Sequence, residues 1–540
     1  MNLTFSLESP APEAFFNIAD ACCDRWAERE PDRVALLQKN SDGSVTQCTY
    51  RQLQASANRL ANALAASGIR PGDRVGIMLP QRLEAAFAHI ALYKLGAIAV
   101  PLFVLFGLDA IRHRARDCAM SALITDGTGR DKLAAIWGEL PDMKVCFCTA
   151  GRSDDSRVLD YHAETAVASD RFETRHSVAE DPAVIIYTSG TTGHPKGALH
   201  AHRVLLGHVP GVSVSHEGLP QAGDLIWTPA DWAWIGGLLD VLLPSLYLGV
   251  PVVAHRAEKF EPEAAFALIE ELGIRNLFLP PTALKLLRQV PSPETRWLLS
   301  VRTIASGGES LGSELLNWGR QTFGVTINEF YGQTECNIVL SSCSRQGVHK
   351  VGAIGQSVPG YNVRIIDDQG NEMPAGDAGD IAVETPNLNQ MLCYWNRPDA
   401  TAEKYVGRWL VTGDRGYRDA DGYIHFLGRN DDVITSAGYR IGPTPIEDCL
   451  LRHPAVKLAA AIGKKDATRT EIVKACIVLA DGHSPSPGLI SELQNHVRTH
   501  LAAHEYPREI EFLEALPMTA TGKIIRGELR QREHDKETAA

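Results

Sequence analysis

The sequence lacks most of the features that would place it outside ordinary globular chemistry. Its 11 cysteines form no Cys-x-x-Cys pair; they are scattered, apart from adjacent Cys22 and Cys23 and the near pair Cys146 and Cys148. That spacing argues against zinc and thioredoxin-like motifs, and reduced thiols in a cytoplasmic protein are expected. The opening residues, MNLTFSLESPAPEAFF, have no basic stretch before a long apolar run, so no signal peptide is expected. Two apolar stretches come nearest to a membrane span, 85–108 and 232–254. Lys94 and Pro101 interrupt the first, and Asp240, Pro244 and Pro251 the second, so buried core elements are expected and no membrane span. A surplus of positive charge is also missing. Lys plus Arg number 53 against 65 Asp plus Glu, a net charge of −12, which argues against a nucleic-acid partner. No Gly-x-Gly-x-x-Gly follows a strand, and no Walker A loop occurs.

What is present is a chain of 540 residues with 44 % hydrophobic and 22 % charged residues, long enough for several structural units. "RVGIML" (74–79), "RLEAAFAHIALYKLG" (82–96) and "AIAVPL" (97–102) read as strand, helix and strand, which implies a parallel sheet flanked by helices. "SALITD" (121–126), "AVIIYTS" (183–189), "PVVAH" (251–255) and "NLFLP" (276–280) repeat the strand-then-turn pattern. From about Gly376 the texture shifts to short strands separated by Gly and Asp, a β-rich part over about 350–430. After Asp431 the pattern becomes α+β. The expected fold is therefore α/β: a large body over 1–430, with parallel sheets and a β-rich part, and a small α+β domain over 431–540. The charged tail "LRQREHDKETAA" is expected to fray.

The richest segment is Tyr187-Thr-Ser-Gly-Thr-Thr-Gly-His-Pro-Lys-Gly197. A buried strand enters a loop of glycines and hydroxyl residues ending in one lysine. Such a loop suits phosphate: glycines expose backbone N–H groups, hydroxyls donate, and Lys196 supplies charge. Pro195 before the lysine and Gly197 after it separate this loop from a Walker A motif. His200 and His202 follow it without metal-ligand spacing and read as helix-surface or packing residues.

This loop resembles the phosphate loop of the adenylate-forming superfamily of acyl-CoA synthetases, peptide-synthetase adenylation domains and firefly-type luciferases. Four further segments resemble that family's motifs in the same order: "SGGES" (306–310), "EFYGQTE" (329–335), "VTGDRGYRDADGYIHFLGRNDDVITSAGYRIGP" (411–443) and "PMTATGKIIR" (517–526). The resemblance spans residues 15 to 530 and is closest to medium-chain acyl-CoA synthetases. It implies an AMP-forming ligase that uses ATP, Mg²⁺ and CoA. A carboxylic acid attacks the α-phosphorus of ATP, and CoA thiol then takes the acyl group.

The resemblance also implies roles. Thr188, Ser189, Gly190, Thr191, Thr192, Gly193 and Lys196 would hold phosphates. Gly308, Glu309 and Ser310, with Glu329, Phe330, Tyr331, Gly332 and Gln333, would line the adenine pocket. Thr334 would contact the α-phosphate, and Glu335 would help hold Mg²⁺. Asp414 and Arg429 would hold the ribose, and Lys523 would catalyse adenylation by offsetting repulsion between two anions. Asp431 would be the hinge about which the small domain turns between half-reactions. Ala437, Gly438, Tyr439 and Arg440 would form the thiolation face, and Arg469, Arg498, Tyr506, Pro507 and Arg508 would meet the CoA nucleotide.

One departure bears on the substrate. Acetyl-CoA synthetases carry Trp at the place of Gly332, and the missing indole is expected to leave room for an acid larger than acetate: medium-chain, branched or aromatic. Trp234 is expected on the other wall, with Trp232 in the core. A ligase loading a carrier protein and a short-chain CoA ligase remain alternatives. Residues 517–523 also resemble an acetylation motif of bacterial acyl-CoA synthetases, which would make a protein acetyltransferase acting on Lys523 a partner. No interface is legible, so the oligomeric state stays open.

Overall fold

The computed structural model describes residues 15–188, 195–255, 259–309, 311–430, 432–436, 439–466, 469–501, 505–519 and 523–539. Ser189, Gly190, Thr191, Thr192, Gly193, Ser310, Asp431, Ala437 and Gly438 lie outside them, as do the side chains of Tyr439 and Arg440.

Two large sheets form the body. An eight-stranded sheet runs in the order Cys393–Tyr394, Gly197–Ala201, Pro182–Tyr187, Ile98–Pro101, Arg74–Met78, Ala122–Thr125, Val145–Cys148, Val158–Asp160. From Pro182–Tyr187 to Val158–Asp160 every pairing is parallel. Such strands are covered on both faces, which explains their unbroken apolar runs; all four residues of Ile98–Pro101 are buried. The helix Leu83–Leu95 is apolar around its whole circumference and is buried accordingly, ending on Gly96 at φ 75°.

The second sheet has nine strands, with a parallel centre of Val34–Lys39, Val252–His255, Ile226–Trp227, Asn276–Phe278, Thr303–Gly307 and Ile327–Gln333. Its antiparallel extension is Cys336–Ser341, paired with Ile327–Gln333 through an irregularity between Tyr331 and Gln333. The β-rich part is a five-stranded antiparallel sheet whose strands lie between Val363 and Arg429.

The C-terminal part is α+β. Strands Val456–Asp466 and Thr470–Leu479 form a long hairpin, with Glu509–Phe512 parallel to the second and helices Pro443–Leu451 and Pro487–His500 packed nearby. The tail does not fray: Arg526–Ala539 is a helix. Its charged composition hid its anchor. Lys474, 3 % exposed, meets Glu533 of that helix at 2.5 Å and Glu511 and Glu509 of the neighbouring strand at 2.7 and 2.9 Å. Ion pairing holds a helix that has little apolar surface to bury.

No described helix is long and apolar enough to cross a membrane. Residues 85–108 are a buried helix and strand followed by a loop, as expected. His200 and His202 are fully buried, His200 in a strand, so neither lies on a helix surface. Burial lowers the His200 imidazole to about 3 and that of His202 to about 4.

Candidate active site

A cleft of about 580 Å³ opens where the ends of both body sheets, the β-rich sheet and the C-terminal part converge. Each of the five motifs contributes a described residue: Thr188 and Lys196, Gly308 and Glu309, Glu329 to Glu335, Asp414 and Arg429, and Lys523. Residues separated by hundreds of positions therefore share one wall.

The phosphate-loop neck is closed by the antiparallel pairing of Tyr187 with Gly197. Thr188 donates its N–H to the Lys196 carbonyl at 2.9 Å, and Lys196 Nζ lies 5.0 Å from the Tyr394 ring. Tyr394 in turn donates its hydroxyl to Glu335 Oε1. Glu335 is buried, and its backbone carbonyl accepts from Met391 N at 2.8 Å, which fixes the acid from two sides.

Asp414 sits directly across from Arg429 in the β-rich sheet. It is 5 % exposed, and Oδ2 accepts from Tyr331 Oη at 2.5 Å and Gln333 Nε2 at 2.7 Å. Burial raises its carboxyl above the ordinary value, while Tyr331, Arg429 and Gln333 pull it back. Glu329 accepts from Leu311 N at 3.2 Å, and burial pushes its carboxyl up to about 7.

Lys523 arrives from the C-terminal part. It is exposed, and Nζ lies 3.9 Å from where a side chain on Gly308 would begin. Gly308 has φ 105°, a conformation natural to glycine. Lys523 N donates to Thr519 Oγ1 at 3.0 Å, and Thr519 N to the Lys523 carbonyl at 2.8 Å, so Thr519 holds the backbone of the lysine on both sides.

Several cleft residues were not singled out from sequence. Lys404, in a turn, and Tyr394, in the short strand Cys393–Tyr394, come from segments without a motif. Arg526 lies inside the quoted "PMTATGKIIR" segment; it grips Glu447 at 2.5 Å (Nη2 to Oε2) and 2.9 Å (Nε to Oε1), and reaches Asp432 at 3.4 Å. Asp448, on the same helix as Glu447, is pushed up to about 6 by burial and by Glu447.

The acyl expectations fare differently. Gly332 lines the cleft, but its missing side chain leaves no vacancy: a Cβ there would stand 2.4 Å from Asn337 Oδ1 and 2.4 Å from Ile338 N. The glycine answers to a close backbone approach in the hairpin. Asn337 Nδ2 in turn donates to buried Asp240 at 2.6 Å. Trp234 is not in the cleft wall; it is half-buried against Phe103 and Phe106, with ring centroids at 5.6 and 5.8 Å. Trp232 is in the core, 2 % exposed.

The nucleotide-end expectations divide. The guanidinium groups of Arg498 and Arg508 lie 4.3 and 5.1 Å from the Tyr506 ring, with Pro507 buried between Tyr506 and Arg508 in sequence. Arg469 sits apart at the tip of the long hairpin, its N–H donating to Asp466 at 2.8 Å. None of these five lines the cleft.

A two-sheet body, a β-rich part and a small C-terminal domain meet at one cleft, the architecture of the AMP-forming ligases. Residues 23–395 match the AMP-binding enzyme family, and residues 445–523 match the AMP-binding enzyme C-terminal domain. The chain is 34 % identical to the human mitochondrial acyl-coenzyme A synthetase ACSM2B, over 96 % of this chain and 91 % of that protein. It is 33 % identical to the acetyl-coenzyme A synthetase of Bacillus subtilis strain 168, over 95 % and 90 %. Among solved structures, the anthranilate CoA ligase AuaEII in complex with anthranoyl-AMP superposes with a TM-score of 0.89 at 29 % identity, covering 97 % of this chain and 98 % of that one. The chain belongs to the AMP-binding enzymes. It is an AMP-forming acid–CoA ligase, making acyl-AMP from ATP and a carboxylic acid and then passing the acyl group to CoA.

Proposed function

We propose that the acid is larger than acetate: medium-chain, branched or aromatic. Support comes from likeness to the acyl-coenzyme A synthetase ACSM2B and to ligases named for anthranilate and benzoate.

The observation that carries the reading is Lys523 beside Gly308 in the cleft that also holds Asp414 and Glu335. In this arrangement Asp414 accepts from the ribose hydroxyls and Arg429 backs it. Gly308, Glu309 and Ser310, with Glu329 to Gln333, hold adenine. Thr188 to Gly193 and Lys196 neutralise phosphate charge, while Thr334 meets the α-phosphate. Lys523 places its ammonium where substrate carboxylate and α-phosphate converge, lowering their mutual repulsion as the acyl–phosphate bond forms and pyrophosphate leaves.

Mg²⁺ suits this donor set, since it takes one or two carboxylates and fills its other positions with phosphate oxygens and water. Glu335, oriented by Tyr394, would hold it, and the ion would neutralise phosphate charge.

For the second half-reaction we assign the hinge to Asp431, between a body ending at 430 and a small domain over 431–540. Ala437, Gly438, Tyr439 and Arg440 then face pantetheine. Arg498, Tyr506, Pro507 and Arg508, with Arg469, meet the CoA nucleotide; two guanidiniums flanking one phenol suit a phosphorylated purine. Exposed Lys523 is also open to a protein acetyltransferase, which would remove the charge that adenylation needs. The compartment assigned is the cytoplasm.

The test is AMP release dependent on both ATP and CoA, across linear acids of about two to about twelve carbons and branched and aromatic acids. The highest kcat/KM is expected for an acid larger than acetate. A maximum at acetate overturns the substrate reading, and AMP release that needs a carrier protein instead of CoA overturns the acceptor.

A further inference from the structure

On the face of helix Pro443–Leu451 turned away from the cleft, a second site takes shape. Cys449 projects from this helix towards His496 and His500 of helix Pro487–His500. The two histidines are four residues apart, so they stand one above the other on a single helix face. Their rings lie 4.5 Å apart between centroids. One possible ligand atom from each of Cys449, His496 and His500 falls within 4.8 Å of the other two.

The hydrogen bonds around the rings are those a coordinating imidazole needs. His496 Nε2 lies 3.1 Å from the Cys449 carbonyl and donates to it, which fixes the tautomer of the ring. His500 Nδ1 lies 2.8 Å from the His496 carbonyl and donates to it, which leaves Nε2. Metal-ligating histidines are commonly held in this way, the second nitrogen donating to a carbonyl that fixes ring and tautomer. His453 packs edge-on against His496 at 5.3 Å and is itself oriented by Glu492 at 3.3 Å. Cys449 is buried, His496 half-buried and His500 exposed, so an ion has a path in from solvent.

We propose that Cys449, His496 and His500 form a site for a divalent transition metal of the zinc class, distinct from the magnesium of the nucleotide reaction. One thiolate and two imidazoles are borderline-to-soft donors that suit Zn²⁺, Co²⁺ or Cu²⁺ and disfavour Mg²⁺ and Ca²⁺. Binding displaces the Cys449 thiol proton to solvent and leaves one coordination position for water. The ion ties the two helices together. Helix Pro443–Leu451 presents Thr444, Glu447 and Asp448 to the cleft, so the metal bears on the cleft wall through one helix.

The test is titration of the full-length, chelator-stripped protein with Co²⁺, read by absorption. One equivalent is expected to give tetrahedral d–d bands and a thiolate-to-cobalt charge-transfer band, both displaced by Zn²⁺ and unaffected by Mg²⁺. Cys449→Ser is expected to remove the charge-transfer band. His500 is exposed, so His500→Ala leaves the fold intact by circular dichroism and is expected to weaken Co²⁺ binding at least about tenfold. No cobalt band in the wild type overturns the proposal. So does a band that survives His500→Ala at unchanged affinity, whatever Cys449→Ser does.

Discussion

The hydroxyl of Tyr331 donates to the carboxylate of Asp414 at 2.5 Å, joining a strand of the nine-stranded sheet to a strand of the β-rich sheet. The carboxylate proposed to hold the ribose is thus aimed by an aromatic residue from a different sheet, with Gln333 as a second donor at 2.7 Å. Replacing Asp414 with Asn removes the charge, while the amide oxygen can still accept from Tyr331 and Gln333, which donate to the same atom, Oδ2. KM for ATP is expected to rise about tenfold or more, since hydrogen bonds to a charged group contribute about 1.5–3 kcal/mol. Tyr331→Phe, which keeps the carboxylate, is expected to cost less. Steady-state kinetics with ATP varied would show an unchanged KM in Asp414→Asn if the assignment is wrong.

Lys523 is exposed, so its removal leaves no buried group unpaired. Lys523→Ala is expected to abolish ATP–pyrophosphate exchange while thiolation of supplied acyl-AMP proceeds nearly as before. Parallel loss of both half-reactions would contradict a role confined to adenylation.

At Gly332 even a methyl group would stand 2.4 Å from Ile338 N and Asn337 Oδ1. Backbone cannot yield as a flexible side chain does, so Gly332→Ala is expected to destabilise by about 1–3 kcal/mol. It is also expected to lower kcat/KM for every acid alike. Gly332→Trp is expected to do the same more severely. A Gly332→Trp enzyme of normal stability with preference moved to acetate would show that the hairpin opens.

Glu329 titrates at about 7 in the fold against an ordinary 4.5. The folded state therefore holds more protons than the unfolded state between these values. Its stabilising contribution is complete below about 4.5 and is lost as pH rises through about 7. Glu329→Gln is expected to gain stability relative to wild type over this window, by no more than about 3 kcal/mol. Urea unfolding at several pH values reads the difference; a constant offset would refute the linkage.

Lys474→Met is expected to destabilise the C-terminal part by about 3 kcal/mol, because Glu509, Glu511 and Glu533 would face one another without the central cation. Thermal melts followed by circular dichroism check this. A melt as high as the wild type would mean that the tail helix does not depend on this cluster.

Much of the body was legible because buried parallel strands leave a local signature. "AIAVPL" and "SALITD" read as strands since both faces of a parallel sheet need apolar residues, and Ile98–Pro101 and Ala122–Thr125 are strands. The tail helix was not legible, for it is held by Glu533 meeting Lys474 of a strand some sixty residues earlier in the chain. Nor was Tyr394, whose hydroxyl reaches Glu335 from a segment with no motif.

The sequence by itself determined the class of chemistry: five motifs in order mark an AMP-forming ligase, because such motifs depend on residue type and local turn. Tertiary structure alone decided how they are held and what bounds them. It brought Lys523 to Gly308, paired Asp414 with Tyr331, and filled the space beside Gly332 with Asn337. Those relationships depend on distances between residues remote in the chain, which no local pattern encodes.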